Sequence, residues 1–271
     1  MDKTINILLM FYRTASRRII QTINSSDDFS REANQARLKQ IDVILQDLDK
    51  KTKKWVDRET ESAYKSGHNN AETLLESVGI NLTSSFGKID KEAVKVMAND
   101  SYLAFAESIS GVKRHTTQII NMSTKQRIQA ILADGKISGA SKKEIANNIA
   151  GELKQGFIVL KDKAGKTWQI DNYAEMLART KMTEATNKGL TNRMQEENYD
   201  LVQVTDHGTK CELCQPHEGE IYSISGKSKE YPALDTATGL FHPRCEHRLV
   251  PYHEDFAKQS KAWSTDLQKY V

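Results

Sequence analysis

Residues 205–252 read TDHGTKCELCQPHEGEIYSISGKSKEYPALDTATGLFHPRCEHRLVPY, and they hold all three cysteines, all four prolines and four of the seven histidines of the 271-residue chain. No other stretch gathers so many side chains able to do chemistry. Cys211 and Cys214 form a C-x-x-C knuckle, and well downstream His242 and Cys245 form a matching H-x-x-C. Two such knuckles, each presenting two ligands across a tight turn, are how a chain builds a closed tetrahedral zinc site. Thiolate and imidazole are borderline-soft donors that suit Zn2+, and four protein ligands leave no open position for a substrate. The expectation is a structural Zn2+ site with Cys211, Cys214, His242 and Cys245 as ligands.

The fourth ligand is the least constrained of these. His247 lies close to Cys245 and is the direct rival, while His207 and His217 flank the first knuckle; neutral imidazole serves from any of them. His242 is favoured because Pro243 stiffens the turn that carries it. The alternative to a metal is three reduced thiols beside histidines that only hydrogen-bond. His217-Glu218 invites a catalytic reading, but zinc deaminases place H-x-E before P-C-x-x-C, and here the order is reversed. The peptidase signature H-E-x-x-H is absent too. Asp206-His207 and Glu246-His247 keep open a zinc-scaffolded, metal-dependent nuclease. The simpler reading is that these residues orient the ligands.

Composition narrows the classes further. An odd number of cysteines excludes a complete disulfide framework, and C-x-x-C without an export signal points to a metal or redox site in a reducing cytoplasm. Lysine and arginine number 39 against 36 acidic residues, a mixed balance that makes no electrostatic case for nucleic acid or a membrane surface. The apolar run from Ile5 to Tyr12 is too short to span a bilayer. There is no Gly-rich phosphate loop, and neither a membrane nor a small-molecule substrate is expected as a partner.

Upstream, the chain reads as helix. Ile5, Leu8, Leu9, Tyr12, Ile19, Ile20 and Ile23 fall on one helical face, and Asn24 to Asp27 ends it. From Phe29 to about Ser77, Ile41, Ile44, Leu45, Leu48 and Trp55 recur at spacings of three, four and seven, the stripe of a long amphipathic helix. Val78 to Lys88 is a break. Asp90 to Ala133 reads as helix in two pieces joined near Ser110-Gly111, and Ser141 with Glu144 makes a capping box for a short helix. Phe157 to Leu160 and Thr167 to Ile170 read as a β-hairpin. A helix capped by Asp171 or Asn172 then runs to about Glu197, and Leu201 to Val204 is a strand. His68 and His115 stand alone and receive no role. The fold class expected is mainly α with a small α+β, zinc-stabilised C-terminal domain: residues 1–140 as long helices, 141–252 as the α+β domain, and 253–271 as a short amphipathic tail.

The segment from about Phe157 to Tyr252 resembles the phage minor capsid protein 2 family, within the wider group of Mu F-like head morphogenesis proteins. The resemblance rests on elements in order: Ala164-Gly165-Lys166-Thr167-Trp168; Tyr173 to Thr180; Val202 to Gly208; Cys211-x-x-Cys214; Glu218 to Ser223; Tyr231-Pro232; and Gly239 to His247, closing at Pro251-Tyr252. It departs at Arg244, where relatives commonly carry Asn, and at Glu246, where they commonly carry Arg. Some relatives have Cys at the position of His247. The resemblance implies a minor head protein without enzymatic activity of its own. Such a protein is present in few copies, lies inside the virion, is made in the bacterial cytoplasm during assembly, and contacts the portal, other capsid or scaffold proteins and packaged DNA.

Overall fold

The computed structural model describes residues 2–23, 25, 30–82, 86–133, 159–161 and 167–253. The expected boundary at residues 140–141, the helix capped by Ser141 and the tail from residue 254 lie outside the described residues. The described chain is mainly helical, with α1 at Asp2–Ile23, α2 at Arg31–Ser77, α3 at Lys88–Ala133 and α4 at Ile170–Glu196. Ser30 starts α2, its hydroxyl accepting the Ala33 amide at 3.2 Å. α3 is one continuous helix rather than the two pieces expected. A helical glycine costs only about 1 kcal/mol relative to alanine, and Ile109 and Val112 on either side of Ser110-Gly111 are both buried.

Contacts divide the chain into two compact units, Met1–Val56 with Asp100–Ala178, and Asp57–Asn99 with Arg179–Val271. In the first, the apolar faces read from spacing are the ones buried: Ile5, Leu8, Leu9, Tyr12, Ile19 and Ile23 on α1, and Ile41, Ile44, Leu45, Leu48 and Trp55 on α2. Trp55 donates its indole N–H to the Thr4 carbonyl at 2.8 Å and meets Phe105 edge-on. A buried indole needs such a partner. The hairpin is present as β1, Val159–Lys161, antiparallel to β2, Thr167–Gln169, with Leu160 opposite Trp168. α4 follows β2 directly at Ile170, one residue ahead of the expected cap, and the Asp171 carboxylate pairs with Arg13 at 3.0 Å.

In the second unit, α2 and α4 approach at two glycines. A Cβ on Gly67 would lie 1.8 Å from the Thr186 carbonyl oxygen, and one on Gly189 would lie 2.1 Å from that of Tyr64. Both helices then end in the same motif. Gly79 and Asn198 take positive φ, at 82° and 61°. The Ile80 amide bonds to Leu75 O and the Tyr199 amide to Met194 O, at 3.1 and 2.8 Å. This is the Schellman arrangement, in which a left-handed residue lets the chain satisfy the last carbonyls. Ile80 and Tyr199 both pack on a core of Ala71, Leu75, Leu190, Met194, Val202, Val204, Tyr222 and Leu249.

Over that core lies a three-stranded antiparallel sheet in the order β4-β3-β5. β3 is Leu201–Val204, β4 is Ile221–Ser223 and β5 is Leu249–Pro251. Burial alternates along β3, with Val202 and Val204 facing inward. β5 had no counterpart in the sequence reading, being three residues long and ending in proline; its edge position leaves no ladder bond for Pro251 to miss. The Asn187 side chain on α4 accepts the Leu249 amide at 3.1 Å, which fastens this edge strand to the helix.

Alanine at Gly67 or Gly189 must push two backbones apart. Either substitution should therefore cost about 3 kcal/mol, the upper end for overpacking, read as a lowered midpoint in urea.

Candidate metal centre

Strand order brings the two knuckles together. β3 is central and antiparallel to both neighbours, so its C-terminal end, the start of β4 and the start of β5 share one end of the sheet. Thr205 and Arg248 hydrogen-bond there, as do Val204 and Glu220. The loop after β3 carries Cys211 and Cys214, and the loop before β5 carries His242, Cys245 and His247.

Each knuckle is a turn closed by its own backbone. The amides of Cys214 and Gln215 bond to Cys211 O at 3.1 and 2.9 Å, and the Cys245 amide bonds to His242 O at 2.8 Å. The donor atoms then converge. His242 Nε2 lies 3.3 Å from Cys211 Sγ and 3.1 Å from Cys214 Sγ; Cys214 Sγ lies 3.6 Å from Cys245 Sγ; and Cys245 Sγ lies 3.4 Å from His247 Nδ1. Cys211, Cys214 and His242 form one group with ligand atoms within 4.8 Å of one another, and Cys214, Cys245 and His247 form a second. Cys214, almost fully buried, belongs to both. Around a tetrahedral zinc, neighbouring donors stand about 3.4–3.8 Å apart. No disulfide joins the thiols, and all three are free.

Both histidines are held from behind. His242 Nδ1 donates to the Pro243 carbonyl at 2.9 Å, which leaves Nε2 as the lone-pair nitrogen facing the thiols. His247 Nε2 donates to Glu218 Oε1 at 2.9 Å, which aims Nδ1 at Cys245. A carboxylate or carbonyl behind an imidazole fixes tautomer and ring orientation in the way metal sites require. Glu218 also accepts the amides of His207 and Thr209, at 2.9 and 3.0 Å. Burial works to raise its carboxyl, but the His207 and Thr209 amides and His247 together hold it below the ordinary carboxylate range. Among the thiols, the amides of Cys214 and Leu213 draw Cys211 down, with His242 adding to them. Burial, reinforced by the neighbouring thiols of Cys245 and Cys211, pushes Cys214 up to about 12.

The other histidines of the region take no part. His217 is fixed between the Tyr222 hydroxyl at 2.6 Å and the Thr238 carbonyl at 3.1 Å, and His207 bonds to the Thr205 hydroxyl. Asp206 closes its own turn by accepting the Gly208 amide. The sequence offers Glu218 only as the partner of His217 in a catalytic pair; its place four residues after the C-x-x-C is the available signal for its role behind His247.

The sequence profile of the family described as phage minor capsid protein 2 matches residues 28–270, nearly the whole chain and both knuckles with it. The chain belongs to that family. It is thus a structural phage protein of the capsid, expected to meet other head proteins. No curated protein and no solved structure matches it.

Within this minor capsid protein, Arg244 stands at a conformational cost. Arg244 follows Pro243 in the knuckle turn with φ at 67°, and Phe241 just before the turn stands at 59°. Left-handed backbone costs an L-residue roughly 1–2 kcal/mol, and asparagine tolerates it better than arginine. Arg244→Asn should therefore raise the thermal midpoint, by about 1 kcal/mol in stability at most.

Proposed function

We propose that this minor capsid protein is packaged in few copies inside the phage head beside the portal, with a structural Zn2+ bound by Cys211, Cys214, Cys245 and His242. The observation that carries the zinc reading is the convergence of three free thiols on two imidazoles, each oriented by an acceptor on its far nitrogen. His242 is the fourth ligand in this reading because its Nε2 faces two sulfurs, whereas His247 faces one. His247, tied to Glu218, then braces Cys245 from outside the ligand set.

Zinc would supply what the loops lack. Three strands of three or four residues cannot by themselves hold two long loops in register, and a metal closing both knuckles replaces the missing core. The ion acts structurally, with every position filled by protein. Three of the four residues a nuclease would use are otherwise engaged: Asp206 in its turn, His207 with Thr205, and His247 with Glu218.

Partners in this reading are the portal, neighbouring capsid or scaffold proteins, and packaged DNA. Support for protein docking comes from Ile89 and Val96, seven residues apart on α3 and 70% and 66% exposed, which lie on one helical face. Among the described residues no helix is long and apolar enough to cross a membrane. The protein would be made in the host cytoplasm and end in the virion.

Mass spectrometry of density-purified particles, quantified against portal, tests the location. A few copies per particle is the expected result, and absence from procapsids and virions alike would overturn the reading. Cobalt(II) substitution tests the site. The full-length protein should show thiolate-to-cobalt charge transfer, weakened in Cys245→Ser and altered in ligand-field pattern in His242→Ala, while His247→Ala keeps the spectrum and lowers affinity by about tenfold or more.

Zinc affinity should also depend on pH. A ligand thiol must lose its proton, and Cys214 without metal is held up to about 12. Binding at neutral pH therefore releases that proton, and apparent affinity rises with pH by about tenfold per unit for each proton released. Calorimetry in two buffers of different ionisation enthalpy measures the release; equal heats would contradict it.

A further inference from the structure

His68, to which the sequence reading assigned nothing, sits on α2 with its side chain 1% exposed and neither ring nitrogen hydrogen-bonded. A buried imidazole without a partner is costly, because its desolvation goes uncompensated. Its surroundings are not apolar. Nε2 stands 4.0 Å from Asp90 Oδ2 and Nδ1 stands 3.8 Å from Glu72 Oε1, both beyond hydrogen-bond reach. A ring nitrogen of His68 and carboxylate oxygens of Asp90 and Glu196 lie within 4.8 Å of one another.

The described groups around His68 are mainly acidic. The fully buried Arg193 guanidinium pairs with Glu72 at 3.1 Å, Glu196 at 3.3 Å and Glu197 at 2.8 Å. Asp90, also fully buried, accepts the Tyr64 hydroxyl at 2.9 Å and the Gly87 amide at 2.8 Å. Among the described residues, four carboxylates thus gather around His68 and the Arg193 guanidinium, while nearby Lys65 is turned to Glu61 and the Phe86 ring. We propose that His68, Asp90 and Glu196 form a second metal site, which takes a divalent first-row cation such as Mn2+ or Zn2+.

The donor set is harder than that of the knuckles, with one nitrogen and two carboxylates and no sulfur, which suits manganese as well as zinc. Glu72 stands on the far side of the imidazole, where a carboxylate orients a metal-bound histidine. Tyr64 and Gly87 hold Asp90 in the same sense, and Arg193 holds Glu196. A cation would tie α2, the start of α3 and α4 together inside one compact unit, and it would give His68 its missing partner. The site stands independently of the knuckles and of any role in the head.

The test is a titration of the full chain with Mn2+, after loading one equivalent of Zn2+ for the sulfur-rich knuckles, following loss of the free-ion electron paramagnetic resonance signal, in the wild type and in His68→Gln and Glu196→Gln. Glu196→Gln changes a partly exposed group, so it keeps the test open if the buried substitution fails to fold. Binding near one Mn2+ per chain is expected, weakened about tenfold or more in either folded variant, with a Mn2+-dependent rise in melting temperature that the variants lose. A wild type that leaves all Mn2+ free overturns the proposal. Equal binding by wild type and both variants also overturns it and places the ion elsewhere.

Discussion

The close approach of α2 and α4 at Gly67 and Gly189 sets the geometry on which the C-terminal region depends. With carbonyl oxygens standing where a methyl group would be, the helices meet through their backbones rather than through interleaved side chains. That spacing brings Leu75 of α2 and Leu190 and Met194 of α4 into one apolar surface. β3 lies on this surface through Val202 and Val204, and the Asn187 side chain fastens β5 beside it. Everything in the knuckle region hangs from those strands. A sheet this short has little stability of its own, so its register comes from the helices beneath it.

The helical part was legible because its signal is redundant. Along α1 and the first half of α2, every residue assigned to the apolar stripe is buried except Ile20, which is partly so. The break at Val78 to Lys88 holds Gly79, which closes α2, while the residue that opens it, Ser30, went unnamed in the sequence. The Ser110-Gly111 pair misled, because a weak local preference was weighed without knowing that its neighbours Ile109 and Val112 are buried. Gly67 and Gly189 carried a signal that went unread. A glycine inside a long helix is a standing cost, and it is kept where another backbone must come near.

The candidate site was legible in its thiols and less so in everything that orients them. C-x-x-C and H-x-x-C spacings announce candidate ligands because the turn geometry is local. Glu218 serves His247 from 29 residues away, and no local pattern encodes that pairing; it exists because β3 lies between β4 and β5. The same is true of His242 and His247, which spacing left as rivals. The fold gives each its own acceptor, and each lies in a group of its own, the two groups sharing Cys214. β5, which sets where Cys245 and His247 fall, was hidden by its length and its proline.

His68 shows the reverse limit. On sequence it is an isolated histidine, and isolated histidines usually mean little. Its environment is assembled from three helices, with Asp90 entering through the cap of α3 and Glu196 through the last turn of α4. The carboxylates are therefore explicable one at a time: Asp90 caps a helix, and Glu72, Glu196 and Glu197 each answer Arg193. Helix capping and ion pairing require no histidine, however, and neither reason places an unpartnered imidazole between them. An apolar side chain at position 68 would pack against Phe86 without a desolvation penalty. That the position carries an imidazole, fully buried and facing carboxylates just beyond hydrogen-bond range, is the arrangement a cation would complete. It separates the two clusters by chemistry as well as by place, sulfur-rich at the loops and oxygen-rich among the helices, so that each would select its own ion from a common pool.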